Sequence, residues 1–153
     1  MKEDIKEILS SFLDQVEKNN HATNHYPSFY AGLKLKVGFG VGKTAKIPWI
    51  TFLGQNQEPQ NGIFPVYYFF KENHKLILAY GISETNIPKR NWFVSPGIKT
   101  IAKYFNSFGI TPHKYGFSYV YEVYSTYKDL DWNKIEIDLD NLIDRYKKIL
   151  QTK

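Results

Sequence analysis

The sequence predicts an α+β domain in which a mixed or antiparallel sheet of about five strands packs against N-terminal, middle and C-terminal helices. Apolar residues recur at helical spacing near both ends of the chain and alternate with polar residues in its middle, and glycines and prolines separate the alternating segments. The 153 residues are enough for one domain with its own core. We therefore predict a single domain over residues 1–153.

Three segments have the spacing of helices that bury one face. Residues 3–18 carry apolar side chains at i, i+3 and i+4. Ser95 and Pro96 have the chemistry of a helix start, and apolar spacing continues from there to Gly109, which predicts a middle helix. A third amphipathic helix is predicted from about residue 133 to the C-terminal end.

Five segments between these helices have the features of strands. Residues 33–39 alternate apolar side chains with lysines or glycine, which predicts a half-buried strand with a basic outer face. Residues 47–53, 63–70, 75–81 and 117–125 are rich in β-branched and aromatic residues and are bounded by turn residues. The glycines at 38, 40 and 42 predict a turn after the first of these strands.

The composition excludes several classes of protein. Because the chain has no cysteine, it can have no disulfide, thiolate metal site, iron–sulfur cluster or cysteine nucleophile. Its longest apolar stretch, residues 64–70, is too short to span a bilayer, and its acidic, amphipathic start differs from a secretory signal. We expect a cytoplasmic protein without a membrane partner.

Sequence signatures of catalysis are missing. Residues 38–44 are similar to a phosphate-binding P-loop, but the spacing is one residue short and a strand follows instead of a helix. His21 and His25 have the spacing of metal ligands without the accompanying glutamate. Neither a Glu-x-Lys nuclease element nor a Gly-x-Ser-x-Gly elbow occurs. We predict no catalytic residue, no metal and no cofactor in this domain, and hence no enzymatic activity of its own.

Charge is distributed unevenly along the chain. Residues 1–30 and 129–153 are net negative, whereas residues 31–128 contain 12 basic and 4 acidic side chains and 20 of the 26 aromatic residues. A basic, aromatic centre indicates a surface that binds a polyanion and stacks on bases. Two alternatives remain open: lysines that only solvate the domain, and a basic surface that docks an acidic protein partner.

The aromatic residues of this centre exceed what strands of this length need for packing. Exposed rings bordered by lysines suit base stacking in DNA, or in RNA or single strands, and they also suit a pocket that holds one extruded base. The alternative for each ring is a place in the core. The residues considered are Trp49, Phe64, Tyr67, Tyr68, Tyr80, Trp92 and Tyr115.

Blocks of sequence with fixed spacing carry a family resemblance. They include LKLKVGFG at 33–40, IPW at 47–49, FLG at 52–54, LAYGIS at 78–83 and KYG at 114–116. With these blocks the chain resembles the N-terminal domain of the McrB subunit of McrBC, a modification-dependent restriction system. The likeness covers nearly the whole chain and is densest between residues 26 and 92.

The resemblance implies a function. In that family the domain recognises a purine followed by 5-methylcytosine in double-stranded DNA by flipping the modified base into an aromatic pocket. The rest of the subunit is an AAA+ GTPase motor, and the nuclease is the separate McrC subunit. The chain then corresponds to a recognition domain from a longer protein of phage defence, without motor or nuclease. Which modified base this chain prefers stays open, as does its flanking sequence.

The resemblance also implies roles for individual residues. The implied base pocket consists of Trp49, Phe64, Tyr68, Glu84 and Tyr115. The implied groove and flipping loop consists of Gly40, Val41, Gly42 and Lys43, and the implied phosphate contacts are Lys34, Lys36, Lys46, Arg90 and Lys114. Compared with the family's reference member, tyrosine is replaced by Phe64 and by Val41, leucine by Tyr68 and aspartate by Glu84. These differences cluster at the pocket, so they bear on which base it accepts.

Overall fold

The computed structural model describes residues 4–40 and 45–151. In this part of the chain, six strands form one sheet in the order β1-β2-β3-β4-β5-β6, and every neighbouring pair is antiparallel. The elements are α1 (Ile5–Lys18), β1 (Phe29–Tyr30), β2 (Leu33–Gly38), β3 (Trp49–Leu53), β4 (Ile63–Phe70), β5 (Lys75–Ile82), α2 (Ile101–Asn106), β6 (Tyr119–Ser125) and α3 (Trp132–Gln151). The predicted α+β class is confirmed, with one strand more than expected.

The two faces of the sheet are covered differently. One face packs against α1 and α3 and contains the side chains of Phe52 and Tyr67, which are fully buried. The other face contains Tyr68 and Phe70, and the short helix α2 covers part of it through Phe105, whose ring lies 4.8 Å from that of Phe70. No other α-helix of the described ranges packs on this second face, where loop residues such as Tyr115, whose ring stacks on Tyr68, provide further cover; we call it the open face.

The N-terminal helix forms as its sequence predicts. The Asp4 carboxylate caps it by accepting a hydrogen bond from the Lys6 main-chain nitrogen at 2.9 Å, and Asn19 ends it in the left-handed conformation. Its apolar stripe contacts the sheet, where the rings of Phe12 and Phe39 lie 5.4 Å apart. In β2 the leucines at 33 and 35 are buried, whereas the lysines at 34 and 36 are exposed.

A buried tyrosine fixes the C-terminal helix. The Tyr146 hydroxyl donates a hydrogen bond to the main-chain oxygen of Ile63 at 2.8 Å and accepts one from the Gly54 nitrogen at 2.9 Å. Burial raises the pKa of this hydroxyl, so it stays protonated and keeps both bonds at neutral pH. None of the helices in the described ranges has the length and apolar character needed to cross a membrane.

The predicted start of the middle helix is wrong. Ser95 begins a turn, closed by a hydrogen bond from the Ile98 nitrogen to the Ser95 oxygen at 3.1 Å. Helix α2 starts only at Ile101, capped by the Thr100 hydroxyl, which accepts a hydrogen bond from the Lys103 nitrogen. The reason is tertiary, because Thr100 forms a β-bridge with Tyr119 and so the chain is extended there. Gly109, the predicted helix end, lies three residues beyond the last helical residue.

The strand predictions differ from the structure mainly at their ends. The strand predicted over 63–70 has those bounds, whereas β3 begins two residues later than predicted and β6 also begins two residues later. Strand β1 was not predicted, because its two residues are too few to show alternation. Pro65 lies within β4 and pairs with a residue of β5. It has no partner in β3, because the pairing of β4 with β3 begins one residue later along β4.

Candidate nucleic-acid interface

A pocket of about 390 Å³ opens on the open face of the sheet. Its lining residues are Trp49, Thr51, Pro59, Gln60, Phe64, Tyr68, Glu84, Thr85, Lys114 and Tyr115. The structure thus brings together all five residues of the implied base pocket, although they are spread over 67 positions of the sequence. Antiparallel pairing explains the convergence on the sheet side, because it places Trp49 of β3 directly opposite Tyr68 of β4.

The position of the Trp49 indole depends on a glycine in the neighbouring strand. Gly38 of β2 pairs with Trp49 of β3. A Cβ atom on Gly38 would lie 2.7 Å from the indole Nε1 and closer still to Cε2 and Cζ2. The indole therefore lies against the main chain of β2 at Gly38, and only glycine leaves the room for it.

The same arrangement positions the second ring of the pocket. Gly81 of β5 pairs with Phe64 of β4, and a Cβ atom on Gly81 would lie 2.7 Å from the ring carbons Cδ1 and Cε1 of Phe64. Phe64 is almost completely buried. Glycines on two strands thus let two aromatic rings pack onto the sheet and form an apolar wall.

The third side of the pocket is a pair of stacked tyrosines. The rings of Tyr68 and Tyr115 are 4.2 Å apart and nearly parallel, at 13°. Tyr115 has φ +67°, a left-handed conformation uncommon for tyrosine, and its main-chain nitrogen donates a hydrogen bond to Glu84 Oε1 at 3.0 Å. Burial raises the pKa of both tyrosine hydroxyls, so both are protonated at neutral pH.

The implied phosphate-binding residues are divided between several places. Lys34 and Lys36 are exposed on the open face, and Lys36 pairs with the pocket residue Thr51. Lys114 lies in the pocket lining itself, whereas Lys46 lines a separate depression of about 300 Å³. These lysines place positive charge beside the pocket on the same side of the molecule.

Arg90 lies elsewhere. Its guanidinium donates a hydrogen bond to the main-chain oxygen of Ile149 at 2.9 Å, at the end of α3. This is the helix-covered face, so the structure does not bring Arg90 together with the pocket lysines.

The implied flipping loop is only partly described. Gly40 is exposed with φ +95°, and the Ala45 nitrogen donates a hydrogen bond to the Phe39 oxygen at 2.7 Å. These features fit the predicted glycine turn. Val41, Gly42 and Lys43 lie outside the described residues.

Three of the aromatic residues considered for the interface pack in the core instead. Tyr67 and Tyr80 are on the helix-covered face and are buried. Trp92 donates a hydrogen bond from its indole nitrogen to the Gly81 oxygen at 2.9 Å, and its ring contacts those of Tyr80 and Tyr146. These three residues therefore belong to the core. Alternation indicates which side chains share a face of the sheet, but it does not indicate which face the helices cover.

Sequence reasoning missed Thr51, Pro59, Gln60 and Thr85 as pocket residues. A signal existed for Thr51, because it lies two residues after Trp49 in the same strand and must share its face. Pro59 and Gln60 belong to the loop between β3 and β4, which has no periodicity from which its position could be predicted.

The histidines considered as metal ligands have other contacts. The His25 ring lies within hydrogen-bond distance of the Ser11 hydroxyl at 3.0 Å, and the His21 ring stacks on Phe39. Within residues 4–40 and 45–151, no three His, Asp or Glu side chains are grouped as a metal site requires.

Comparison with known proteins gives the family. The model of the family described as "MrcB-like, N-terminal domain" matches residues 1–108. The chain belongs to this family. It is also 40% identical over 153 residues to the type IV methyl-directed restriction enzyme EcoKMcrB subunit of Escherichia coli strain K12, an alignment that covers 98% of this chain and 33% of that relative. The chain thus spans about a third of the length of the relative it matches.

Proposed function

We propose that this chain binds double-stranded DNA and recognises a modified cytosine, flipped out of the duplex, in the pocket on the open face. The observation that carries the proposal is the convergence of Trp49, Phe64, Tyr68, Glu84 and Tyr115 around one pocket, with lysines on the same face. A concave site with apolar aromatic walls and few polar groups is the usual form of a small-ligand site.

The walls supply the energy that flipping requires. Unstacking and unpairing one base costs a few kcal/mol. Stacking a base on an aromatic side chain contributes about 1–3 kcal/mol. Among the rings of the pocket, Trp49 and Tyr115 are partly exposed in the free protein, so stacking of the base on these two is sufficient to offset the cost.

Polar groups at the rim orient the base. Glu84 uses Oε1 to accept the Tyr115 N–H, and an ionised carboxylate has further lone pairs that can accept the amino group of a cytosine. A methyl group at cytosine C5 contributes only about 0.8 kcal/mol when buried, or roughly a fourfold preference. Strong preference for 5-methylcytosine therefore depends on a close fit against the rings.

At the level of the full-length protein, the proposal extends to a restriction system. The relative from Escherichia coli is the subunit of a methyl-directed restriction enzyme. We propose that this domain directs a GTP-driven AAA+ motor in the same polypeptide, and a McrC-like nuclease subunit, to modified foreign DNA in the cytoplasm. The preferred site in this proposal is a purine followed by 5-methylcytosine.

The experiment is a titration at one fixed salt concentration with four duplexes that differ in a single base. The bases are cytosine, 5-methylcytosine, 5-hydroxymethylcytosine and N6-methyladenine. We expect the tightest binding to a modified cytosine and loss of that preference in Trp49→Ala. Tyr127→Ala is the matched control, because Tyr127 is an exposed aromatic residue that stacks on His74 at the β4–β5 turn.

Other outcomes would contradict the proposal in different ways. Tightest binding to N6-methyladenine would keep a flipped base but reject cytosine as the target. Equal binding to all four duplexes would leave a nonspecific DNA-binding domain. Absence of binding would favour the alternative of an acidic protein partner.

A further inference from the structure

The pocket contains a buried hydroxyl group without a hydrogen-bond partner. In the described ranges the core contains four buried polar residues, Gln15, Thr51, Ser83 and Ser118. Gln15, Ser83 and Ser118 are each hydrogen-bonded to main-chain atoms. The Thr51 Oγ1 atom has no hydrogen-bond partner among the described residues, although the residue is only 2% exposed.

Folding alone does not account for a threonine at this position. A buried hydroxyl that lacks a partner destabilises a protein. Valine has nearly the same shape, has no hydroxyl and is equally suited to a strand. The Tyr67 hydroxyl is also unpartnered, but it lies on the helix-covered face and belongs to a ring that fills the core. Thr51 differs from it because Thr51 lines the pocket.

The sheet places Thr51 at the floor of the pocket. Its side chain is on the same face as that of Trp49, and its cross-strand partners are Lys36 of β2 and Val66 of β4. Phe64 and Tyr68 flank Val66 on the same face of β4. Thr51 is therefore a polar residue among the apolar side chains that β3 and β4 contribute to the floor of the pocket.

We propose that the Thr51 hydroxyl hydrogen-bonds a polar atom on the edge of the base held in this pocket, which makes Thr51 a specificity-determining residue. The inference rests on the proposed function. The oxygen is shielded in the free protein, and rotation of χ1 to another staggered position exchanges the hydroxyl with the methyl group. A base whose polar edge reaches the floor thus gives the hydroxyl the partner that the protein does not provide.

The test compares Thr51→Val, which removes the hydroxyl and keeps the shape, with Thr51→Ser, which keeps the hydroxyl. Each is titrated at fixed salt with the modified duplex that the unsubstituted protein binds best and with its unmodified counterpart. We expect Thr51→Val to bind the modified duplex roughly 2- to 13-fold more weakly, as for the loss of one hydrogen bond. We expect Thr51→Ser to stay within about twofold, and binding of both variants to the unmodified duplex to be unchanged.

Thermal unfolding of the free variants separates this role from a structural one. Because the hydroxyl is unpaired in the free protein, Thr51→Val should unfold at the same or a higher temperature. A Thr51→Val protein that binds the modified duplex as tightly as the unsubstituted protein would overturn the inference about Thr51 and leave the proposed function unaffected. A lower unfolding temperature with equal losses on both duplexes would also overturn it, by showing a structural role. If the unsubstituted protein does not distinguish the duplexes, the proposed function and this inference both fail.

Discussion

Replacing Gly38 with alanine tests whether the Trp49 indole is a wall of the binding pocket. Gly38 is not among the positive-φ residues, so alanine fits its main-chain conformation and the effect must come from the added Cβ atom. That atom would lie 2.7 Å from Nε1 of Trp49 and closer to two other ring atoms. Non-bonded carbon atoms normally lie about 3.5–4.0 Å apart. The indole must therefore move by about 1 Å or more, which takes it off its present position against β2.

The expected loss follows from what one aromatic wall contributes. A base stacked on an aromatic ring gains about 1–3 kcal/mol. At about 1.4 kcal/mol per tenfold change, loss of the Trp49 contact weakens binding of the preferred modified duplex roughly 5- to 150-fold. Binding to the unmodified duplex should change little, because we propose that it depends on lysine contacts with phosphates.

Fluorescence anisotropy with labelled duplexes measures this loss, and two comparisons make it specific. Gly97→Ala is the matched control, because a Cβ atom there meets nothing within 4 Å. In a double-mutant cycle, Gly38→Ala should have no further effect on a protein that already carries Trp49→Ala. Full discrimination between duplexes in Gly38→Ala, or an equal further loss in the Trp49→Ala background, would refute the assignment of Trp49 as a wall.

Two further predictions concern charge and pH. Lys36→Ala should weaken binding to all duplexes alike and reduce the magnitude of the negative slope of log K against log salt by about 0.9. Lys148→Ala is the control, because it removes an exposed lysine of α3 that pairs with Asp144, and it should leave the slope unchanged. A salt titration with an unaltered slope in Lys36→Ala would remove that lysine from the contact surface. Burial raises the pKa of several tyrosines above 10.0 in the folded protein, most strongly for Tyr67, Tyr68, Tyr124 and Tyr146. The contribution of these tyrosines to stability is complete below pH 10 and is lost as the pH rises beyond it. Urea unfolding at pH 8–11.5 should therefore show a falling free energy of unfolding above about pH 10. A flat profile to pH 11.5 would contradict this for Tyr67, Tyr68, Tyr124 and Tyr146.

In strand β2 the position of the strand could be predicted because one of its faces is buried and the other is not. In β2 the lysines at 34 and 36 alternate with buried leucines, so both the strand and its basic face follow from period two. The bounds of the middle helix could not be predicted in this way. Its start is set by the β-bridge between Thr100 and Tyr119, which are distant enough in sequence that local chemistry at Ser95 gives no sign of it.

Part of the pocket lining could be predicted through family resemblance, but the way in which the strands position its rings could not. The resemblance implied Trp49, Phe64 and Tyr115 as one group, and the structure places them around one pocket. The contribution of Gly38 and Gly81 could not be predicted, because it depends on cross-strand register. For Thr51, alternation indicates the face, but the lack of a hydrogen-bond partner becomes visible only once all neighbours are placed.

The division of the sheet into two faces explains why substitutions in the pocket can be informative about binding. The helix-covered face contains the contacts that join distant parts of the chain, such as the Tyr146 hydroxyl between Ile63 and Gly54. In the described ranges the open face has only the short helix α2 over one end, and glycines leave the room that the rings of Trp49 and Phe64 occupy on it. The unpaired buried hydroxyl of Thr51 reduces the stability of the free domain. Since a bound base would stack on the partly exposed Trp49 ring and pair with Thr51, the hydroxyl that weakens the free protein on this face is one that would strengthen its complex.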